Sequence, residues 1–571
     1  MRITTIVAAL FLFTMSAQAH ELEGLWRAKK IFGPEVRGML VIEKEGEAWR
    51  AEIAGRSAPV RVEKDAVTFA LADDEGEFRG QLQSDRIVGH WIQPRGVTVG
   101  YPHAIPVTLL RQRANRWRGE VSPLEDSLTH FLPIVAKPDG TLALYLRNPD
   151  RNIGRFFGLQ RLTVEDSAVK VYGARGNAPE RLMADGQWDE ENDRLSIDFP
   201  NGGGYFDFRR ATPADERVFY PRGKSPAPYV YRKPPLEDDG WAVASADEVG
   251  LSRAAIAKFA EFLIATPIDS LHSQEVHALL IARHGKLAVE EYFHGFDRDS
   301  LHDTRSAAKV LADVLAGAAM QHGAKLSGAT PVFATMGAEG PPSITLAHLL
   351  SMSSGLDCDD SNPDSAGNED RMQDEHSRDD WTALTLALPP VRKPGEKAVY
   401  CSMSANLAGN VVAKVTQRWL PDLFRETVAD PLQIRHYALN LAPSGQAYMG
   451  GGARLTARDF LKLAQLMLDG GKWHGKQVIP AAWVKESLEP RMEMAGIRYG
   501  YLWWHISYPY EGRNVEAFFA GGNGGQISMA IPELDVALVF FGGNYGDAVA
   551  FAPQQKYVPE FILPAAKIPG S

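Results

Sequence analysis

Long hydrophobic runs and cysteines are both scarce in this sequence. The chain has 571 residues but only two cysteines, Cys358 and Cys401, so at most one disulfide can form within it. The apolar run from Ile3 to Met15 is too short to cross a bilayer as a helix, and no run of eighteen or more apolar residues follows it. The sequence is therefore not that of a helical membrane protein.

An excess of basic residues is also absent. Lys and Arg number 61 against 71 Asp and Glu, which gives a formal net charge of −10 and excludes the basic footprint of a nucleic-acid-binding protein. With 45% hydrophobic and 23% charged residues, the composition is that of a globular protein and not of a disordered one. The length predicts about two to four domains.

The first residues have the organisation of a secretory signal peptide. Met1 and Arg2 precede the apolar run, and the small-residue sequence Ala17-Gln18-Ala19 follows it. We therefore expect cleavage after residue 19 and export to the periplasm or the medium. No cysteine lies at the cleavage point to carry a lipid, so we expect no stable membrane anchor.

Hydrophobic periodicity divides the rest of the chain into three parts. Residues 20–212 show short alternating runs separated by turn residues, which predicts an all-β region of one or two barrel or sandwich units. Residues 213–239 are rich in proline and polar residues, as expected of a linker. In residues 240–571 helical periodicity lies between early and late strand patterns, which predicts an α/β domain. The β-rich region is compatible with a structural or substrate-positioning module and with a barrel that binds an apolar ligand.

Two Ser-x-x-Lys tetrads occur, one at Ser306 and Lys309 and one at Ser167 and Lys170. The second lies in an alternating β pattern, where residues three apart point to opposite faces, so we interpret it as a chance match. After Ser306 the apolar positions have helical spacing, which places Ser306 and Lys309 one turn apart on one face. Burial is expected to lower the pKa of Lys309 so that it accepts the serine proton, and the helix N-terminus favours an oxyanion. This pattern indicates a serine hydrolase.

The sequence does not support the motifs of other catalytic or ligand-binding chemistries. The chain contains neither a Gly-x-Ser-x-Gly elbow nor a His-Glu-x-x-His zinc motif. Gly470, Gly475 and Lys476 have the spacing of a phosphate loop. The next residue is Gln477, where that motif requires Ser or Thr, so a phosphate loop is excluded. The acidic segment Asp357–Asp380 lacks the glycine and glutamate of a calcium loop, and we interpret it as a solvated surface loop or as a lid that favours cationic substrates. We expect no metal and no cofactor.

Six ordered blocks surround and follow Ser306. They are Arg283–Gly295, Leu301–Lys309, His348–Leu356, Pro394–Ser402, Gly450–Asp459 and Gly521–Gln526. Together they resemble the β-lactamase-related serine hydrolases, the superfamily of penicillin-binding proteins and class C β-lactamases. The likeness is greatest to the esterase and 6-aminohexanoate-oligomer hydrolase branches. It implies a β-lactamase/transpeptidase-like fold for residues 240–571.

The resemblance also implies roles for individual residues. Ser306 matches the acylated serine, Lys309 its general-base partner, and Tyr400 the tyrosine that relays a proton to the leaving group. Asn523 follows Gly522 of the third motif, and its backbone N–H is expected to form an oxyanion hole with that of Ser306.

Two positions depart from the family pattern. Ser402 stands where the second motif commonly has Asn, and Ala520 stands where the third has Lys or His. Those groups normally meet the amide and the carboxylate of a β-lactam, so we expect poor β-lactamase activity. The expected substrate is a small-molecule or peptide-like ester or amide without an essential carboxylate. Trp503 is a candidate for the wall of the substrate pocket, with core packing as the alternative.

The sequence leaves several points open. Cys358 and Cys401 are either bridged, which would brace the active-site loop, or free thiols. The alternatives to an esterase or amidase are a penicillin-binding-like sensor without turnover and a D-amino peptidase or carboxypeptidase. The oligomeric state is not specified by any pattern in the chain.

Overall fold

The computed structural model describes residues 21–139, 141–200 and 202–566. The predicted signal peptide, residues 1–19, lies outside these ranges. Of the helices within them, none is both long enough and apolar enough to cross a membrane.

Strands β1–β17 make up the N-terminal region. Their bounds are Gly24–Gly33, Gly38–Glu45, Ala48–Ile53, Arg56–Pro59, Arg61–Glu63, Ala66–Ala70, Glu77–Leu82, Arg86–Gln93, His103–Arg113, Arg116–Val121, Asp126–Ala136, Leu142–Leu144, Leu159–Glu165, Ala168–Gly173, Arg181–Asp189, Arg194–Phe199 and Gly204–Arg210. A short helix, Gly154–Phe157, precedes β13.

Strand β1 and strands β11–β17 close into a barrel. β1 pairs antiparallel with β11 along its length, and at Trp26 and Arg27 it also pairs with β17, which completes the closure. Alternate side chains point inward and form a core in which the rings of Trp26 and Trp188 meet edge to face at 5.4 Å. The period-two pattern of the sequence reflects this alternation.

Strands β2–β10 form a second sheet that is inserted between β1 and β11. Its order is β4-β3-β2-β10-β9-β8-β7-β6-β5, and it has its own core around Trp91 and Trp117. The prediction of an all-β region is confirmed, and its two units are nested in the chain. Strand β9 also pairs with Tyr437–Asn440 of the C-terminal part, where Leu439 lies opposite Ala104. The inserted unit is therefore joined to the rest of the molecule by backbone pairing.

Residues 213–239 run along the surface of the C-terminal part. They begin with the helix Pro213–Phe219, whose first turn is capped by Thr212. The Tyr229 hydroxyl then donates to Glu291 at 2.5 Å, and the Tyr231 hydroxyl donates to the carbonyl of Ala288 at 2.8 Å. These contacts hold the predicted linker against the C-terminal part.

Strands β18–β31 and most helices belong to the C-terminal part. The strands are Ala242–Val243, Val276–Arg283, Lys286–Tyr292, His302–Asp303, Tyr437–Asn440, Arg454–Leu455, Lys472–Trp473, Lys476–Gln477, Met492–Met494, Ile497–Tyr499, Trp504–Tyr510, Arg513–Gly522, Gln526–Ile531 and Val536–Gly542. The α-helices are Arg253–Ile264, Val310–Gln321, Val332–Met336, Leu346–Leu350, Glu369–Glu375, Trp381–Leu386, Ser402–Thr416, Leu420–Phe424, Asp430–Leu432, Ala457–Leu468, Ala481–Ser487 and Leu563–Ala566.

A nine-stranded sheet in the order β18-β20-β19-β31-β30-β29-β28-β27-β26 forms the centre of this part. Helices Val310–Gln321, Ser402–Thr416 and Ala457–Leu468 share one hydrophobic core with one face of the sheet. Helix Arg253–Ile264, capped as predicted by Ser252, covers the other face. The predicted α/β architecture is confirmed, and the structure places helices on both faces of the sheet.

Candidate active site

Ser306 lies in the turn that begins the central helix. The 3-10 turn Arg305–Lys309 leads directly into Val310–Gln321, so the predicted helix starts with a tighter turn. The end of β29 presses against this turn. A Cβ atom on Gly522 would lie 2.5 Å from the carbonyl oxygen of Thr304, closer than real Cβ contacts allow. Glycine is therefore required at this position of the third motif.

Lys309 extends beneath the serine and is 2% exposed. Its Nζ donates to Ser306 Oγ at 3.0 Å and to the carbonyl oxygen of Gly450 at 2.5 Å. The carbonyl of Gly450 fixes the amine from the opposite side. The tetrad thus has the geometry for proton exchange between lysine and serine.

Tyr400 approaches the same amine. Its ring centroid lies 4.9 Å from Lys309 Nζ, and the ring stacks on Trp504 with centroids 6.1 Å apart and planes 18° from parallel. The carbonyl oxygen of Tyr400 accepts a hydrogen bond from the backbone N–H of Asp360 at 3.0 Å. A serine and a lysine of one turn are therefore brought together with a tyrosine from a distant segment.

Cys358 and Cys401 form a disulfide in the structure, with their Cα atoms 5.4 Å apart. Both sulfurs are buried. Because Cys401 follows Tyr400 directly, the bridge fastens the tyrosine to the acidic segment that begins at Asp357.

Residues 269–551 match the family model described as Beta-lactamase. This part of the chain is a beta-lactamase family domain. The match includes Ser306, Lys309 and Tyr400, and it confirms the resemblance read from the ordered blocks. The two β units lie outside the match.

A curated relative of the beta-lactamase domain is the 6-aminohexanoate-dimer hydrolase of Paenarthrobacter ureafaciens. It is 27% identical over 225 residues, which cover 37% of this chain and 56% of the relative. The chain thus spans little more than half the length of this relative. Among solved structures, a family VIII carboxylesterase is 20% identical with a TM-score of 0.42 and coverage of 55% of this chain and 97% of its own. A D-stereospecific amidohydrolase from Streptomyces is 17% identical with a TM-score of 0.41, covering 53% and 98%.

The charge state of Lys309 in the beta-lactamase domain differs from the expectation. Burial lowers the pKa of Lys309, but Tyr400, Glu369 and Asp360 together outweigh burial, so the net pKa is raised above its usual value. The prediction that burial makes this lysine a free base was wrong because it ignored the neighbouring acids. At neutral pH the ammonium form is favoured.

Asp360 and Glu369 form a half-buried acidic pair around Ser402. The Ser402 hydroxyl lies 2.7 Å from Asp360 Oδ2 and 2.9 Å from Glu369 Oε2. The hydroxyl has one hydrogen and donates to one of these oxygens at a time, while the backbone N–H of Ser402 also donates to Asp360 Oδ2 at 2.7 Å. Burial and the charge of Glu369 raise the pKa of Asp360 to about 6. Ser402 therefore orders two carboxyl groups.

Sequence reasoning missed this acidic pair. The segment Asp357–Asp380 was interpreted as a surface loop or a lid, but its residues Asp360 and Glu369 lie within the site. The Tyr448 hydroxyl, which was also missed, donates to Glu369 Oε1 at 2.5 Å. No local pattern separates Asp360 from its neighbour Asp359, because only the tertiary fold places one of them beside Lys309. The described residues contain no group of three or more side chains suited to hold a metal ion.

Trp503 is a core residue and not part of the substrate pocket. Its side chain has no exposed surface, and its indole N–H donates to Asp313 Oδ2 at 3.1 Å. The neighbouring Trp504 stacks on Tyr400. Of the two alternatives for Trp503, core packing is the one that the structure shows, because the residue precedes the strand and its side chain is enclosed in the core beneath the sheet.

The buried Asp313 is expected to make stability depend on pH. Burial raises its pKa to about 7, although Ser487 and Trp503 donate to it. Since the pKa is higher in the folded state than the unfolded value of about 4, its stabilising contribution is complete below about pH 4 and is lost as the pH rises through about 7. Asp313→Asn should raise the free energy of unfolding at pH 8 by about 2 to 4 kcal/mol and change it little at pH 4.

Urea unfolding followed by circular dichroism at the two pH values measures this effect. The exposed Asp299 provides the control, because Asp299→Asn should change neither value. A stabilisation of equal size at both pH values would show that the effect does not come from titration of Asp313.

A cavity of about 340 Å³ opens in front of Ser306. The beta-lactamase domain supplies Ser306, Asn523 and Gly450–Gly452 to its wall, and the β units supply Val99–Tyr101 and Arg151. The N-terminal region thus shapes the space next to the serine. Strand β9, which follows Tyr101 and pairs with β22, holds this wall in place.

The predicted site residues take three kinds of position. Ser306 and Asn523 reach the cavity, and the Asn523 side chain accepts from the backbone N–H of Gly546 at 2.7 Å. Lys309 and Tyr400 stand behind the serine, outside the cavity wall. Gly522 supports the turn from below.

Proposed function

We propose that this protein is a serine hydrolase that cleaves an ester or amide bond through an acyl-enzyme on Ser306. The observation that carries the proposal is the 3.0 Å hydrogen bond between Lys309 Nζ and Ser306 Oγ at the wall of an open cavity. The family match of residues 269–551 supports it. The likeness of this region to a 6-aminohexanoate-dimer hydrolase is compatible with amide cleavage.

The proton acceptor in this proposal is the Lys309–Tyr400 pair and not the lysine alone. Because the pKa of Lys309 is raised, its ammonium form persists at neutral pH and donates to the serine oxygen. The serine proton can therefore be accepted only when the Lys309–Tyr400 pair has already lost one proton. The same pair then returns the proton to the departing alcohol or amine.

The remaining steps follow from the position of the serine. Ser306 Oγ bonds to the carbonyl carbon, and the tetrahedral oxyanion is held by the backbone N–H groups of Ser306 and Asn523. The bond to the leaving group breaks to give the acyl-enzyme, and water adds to the ester carbon and releases the acid. Export to the periplasm or medium belongs to the same proposal.

Trapping the acyl-enzyme tests this function. Acid quenching of the full chain during turnover of p-nitrophenyl butyrate should leave one butyryl group on the peptide that contains Ser306, detected by mass spectrometry. Ser306→Ala should carry no adduct, since its methyl side chain has no nucleophilic oxygen. An adduct that accumulates fully and is never released would favour a penicillin-binding-like sensor without turnover. A butyryl group on another peptide would refute the assignment of Ser306 as the nucleophile.

A further inference from the structure

Three arginines meet at the wall of the cavity beside Ser306. Arg151 comes from the barrel, Arg305 directly precedes the serine, and Arg454 lies on β23. One carboxylate, that of Asp303, lies between them at 3.3 Å from Arg305 and 3.9 Å from Arg454. All four side chains line the same cavity.

Within the cluster three arginines surround one carboxylate, and Glu369 and Asp370 also line the cavity. Arg305 and Arg454 hold the pKa of Asp303 well below its usual range, so Asp303 contributes a full negative charge against three guanidinium groups.

The guanidinium groups are also incompletely paired. In the described ranges of the chain, Arg151 has no hydrogen-bonded or ion-paired partner for its side chain, and the buried Nε atom of Arg454 makes no hydrogen bond. Arg305 differs, because its Nε atom is ion-paired with Asp303. Burial and the charges of Arg454 and Arg305 lower the pKa of Arg151 to about 10. Arg151 is thus held beside Arg305 and Arg454 without an acceptor of its own, and an anion in the cavity would supply one.

The loop that carries Arg151 is built to hold its position. The Asn148 amide donates to the carbonyl of Thr129 at 2.7 Å within the barrel, and the Asn152 amide donates to the carbonyl of Tyr545 at 3.2 Å in the beta-lactamase domain. Arg147, at the start of the loop, forms a buried ion pair with Glu275 at 2.8 Å. The barrel is therefore fixed where it presents Arg151 to the cavity.

We infer that the cluster of Arg151, Arg305 and Arg454 binds a carboxylate of the substrate. Planar guanidinium groups match a carboxylate with paired hydrogen bonds, and the neighbouring Ser306 places the reacting carbonyl within the same small cavity. The inference rests on the proposed function, and it assigns substrate recognition to the barrel. It differs from the expectation based on Ala520, because Arg151 comes from the barrel, outside the ordered blocks and the family match.

Binding of glutarate to the full chain tests the cluster without turnover. Glutarate should bind to Ser306→Ala in ligand-observed NMR, whereas the uncharged glutaramide should not. Arg151→Gln in the same background should weaken glutarate binding about tenfold or more, and Arg151→Lys should retain part of it. The exposed barrel residue Arg175 gives the matched control, since Arg175→Gln removes the same charge away from the cavity.

The outcomes separate the two proposals. Equal binding of glutarate to Arg151→Gln and to the Arg175→Gln control, or equal binding of glutaramide, would overturn the carboxylate subsite. If glutarate binds as expected but no ester is hydrolysed in a Ser306-dependent manner, the subsite stands and the proposed hydrolase function fails. Thermal unfolding of each variant shows whether a loss of binding comes from a loss of fold.

Discussion

Ser306→Ala is expected to lower kcat/KM for p-nitrophenyl butyrate by about 10⁴-fold or more, because no other group in the catalytic set can form the acyl-enzyme. Ser306 is partly exposed at the cavity wall, and its hydroxyl is an acceptor for Lys309, so the substitution removes the nucleophile without opening a core cavity. The midpoint of thermal unfolding should therefore stay close to that of the unmodified protein.

The chain contains its own control for this experiment. Ser167 belongs to the second Ser-x-x-Lys tetrad, but it lies exposed in the hairpin between β13 and β14, and Lys170 makes only a loose ion pair with Glu165 at 3.9 Å. Ser167→Ala should leave hydrolysis unchanged. Activity that survives in Ser306→Ala and disappears in Ser167→Ala would reverse the assignment of the two tetrads.

Lys309→Met is expected to lower kcat by about 10³-fold, because it removes both the donor to Ser306 and the charge that accompanies Tyr400. Methionine fills a similar volume, but it leaves the Asp360–Glu369 pair without its neighbouring cation. Asp360 should then bind a proton up to a higher pH, since Lys309 lowers the pKa of Asp360. The loss of kcat is measured from the rates of p-nitrophenyl butyrate hydrolysis between pH 5 and 9.

Lys170→Met is the matched lysine control and should leave both the rate and its pH profile unchanged. A Lys309→Met variant that folds and retains a rate within about tenfold of the unmodified protein would remove the lysine from the proton path. Circular dichroism at each pH distinguishes this result from partial unfolding.

Local sequence patterns predicted the elements that depend on neighbouring residues. The period-two runs before residue 212 became the strands of two β units, and the helical spacing after Ser306 became Val310–Gln321. Ser252 was identified as a helix cap because a cap acts over three residues, here on the N–H of Ala255. The nesting of one β unit inside the other was not predicted, because the pairing of β1 with β11 joins residues about a hundred positions apart.

The sequence by itself predicted the nature of the reactive groups. The choice of Ser306 over Ser167 followed from helical against strand periodicity, and the ordered motif blocks identified Tyr400 as a partner of Lys309. The tertiary structure alone decided the charges around them. Tyr400, Glu369 and Asp360 reverse the expected pKa shift of Lys309, and Arg151 enters the cavity from the barrel. The physical reason is that covalent neighbours set periodicity and motif spacing, whereas electrostatic effects depend on distances through space between segments that are remote in the chain.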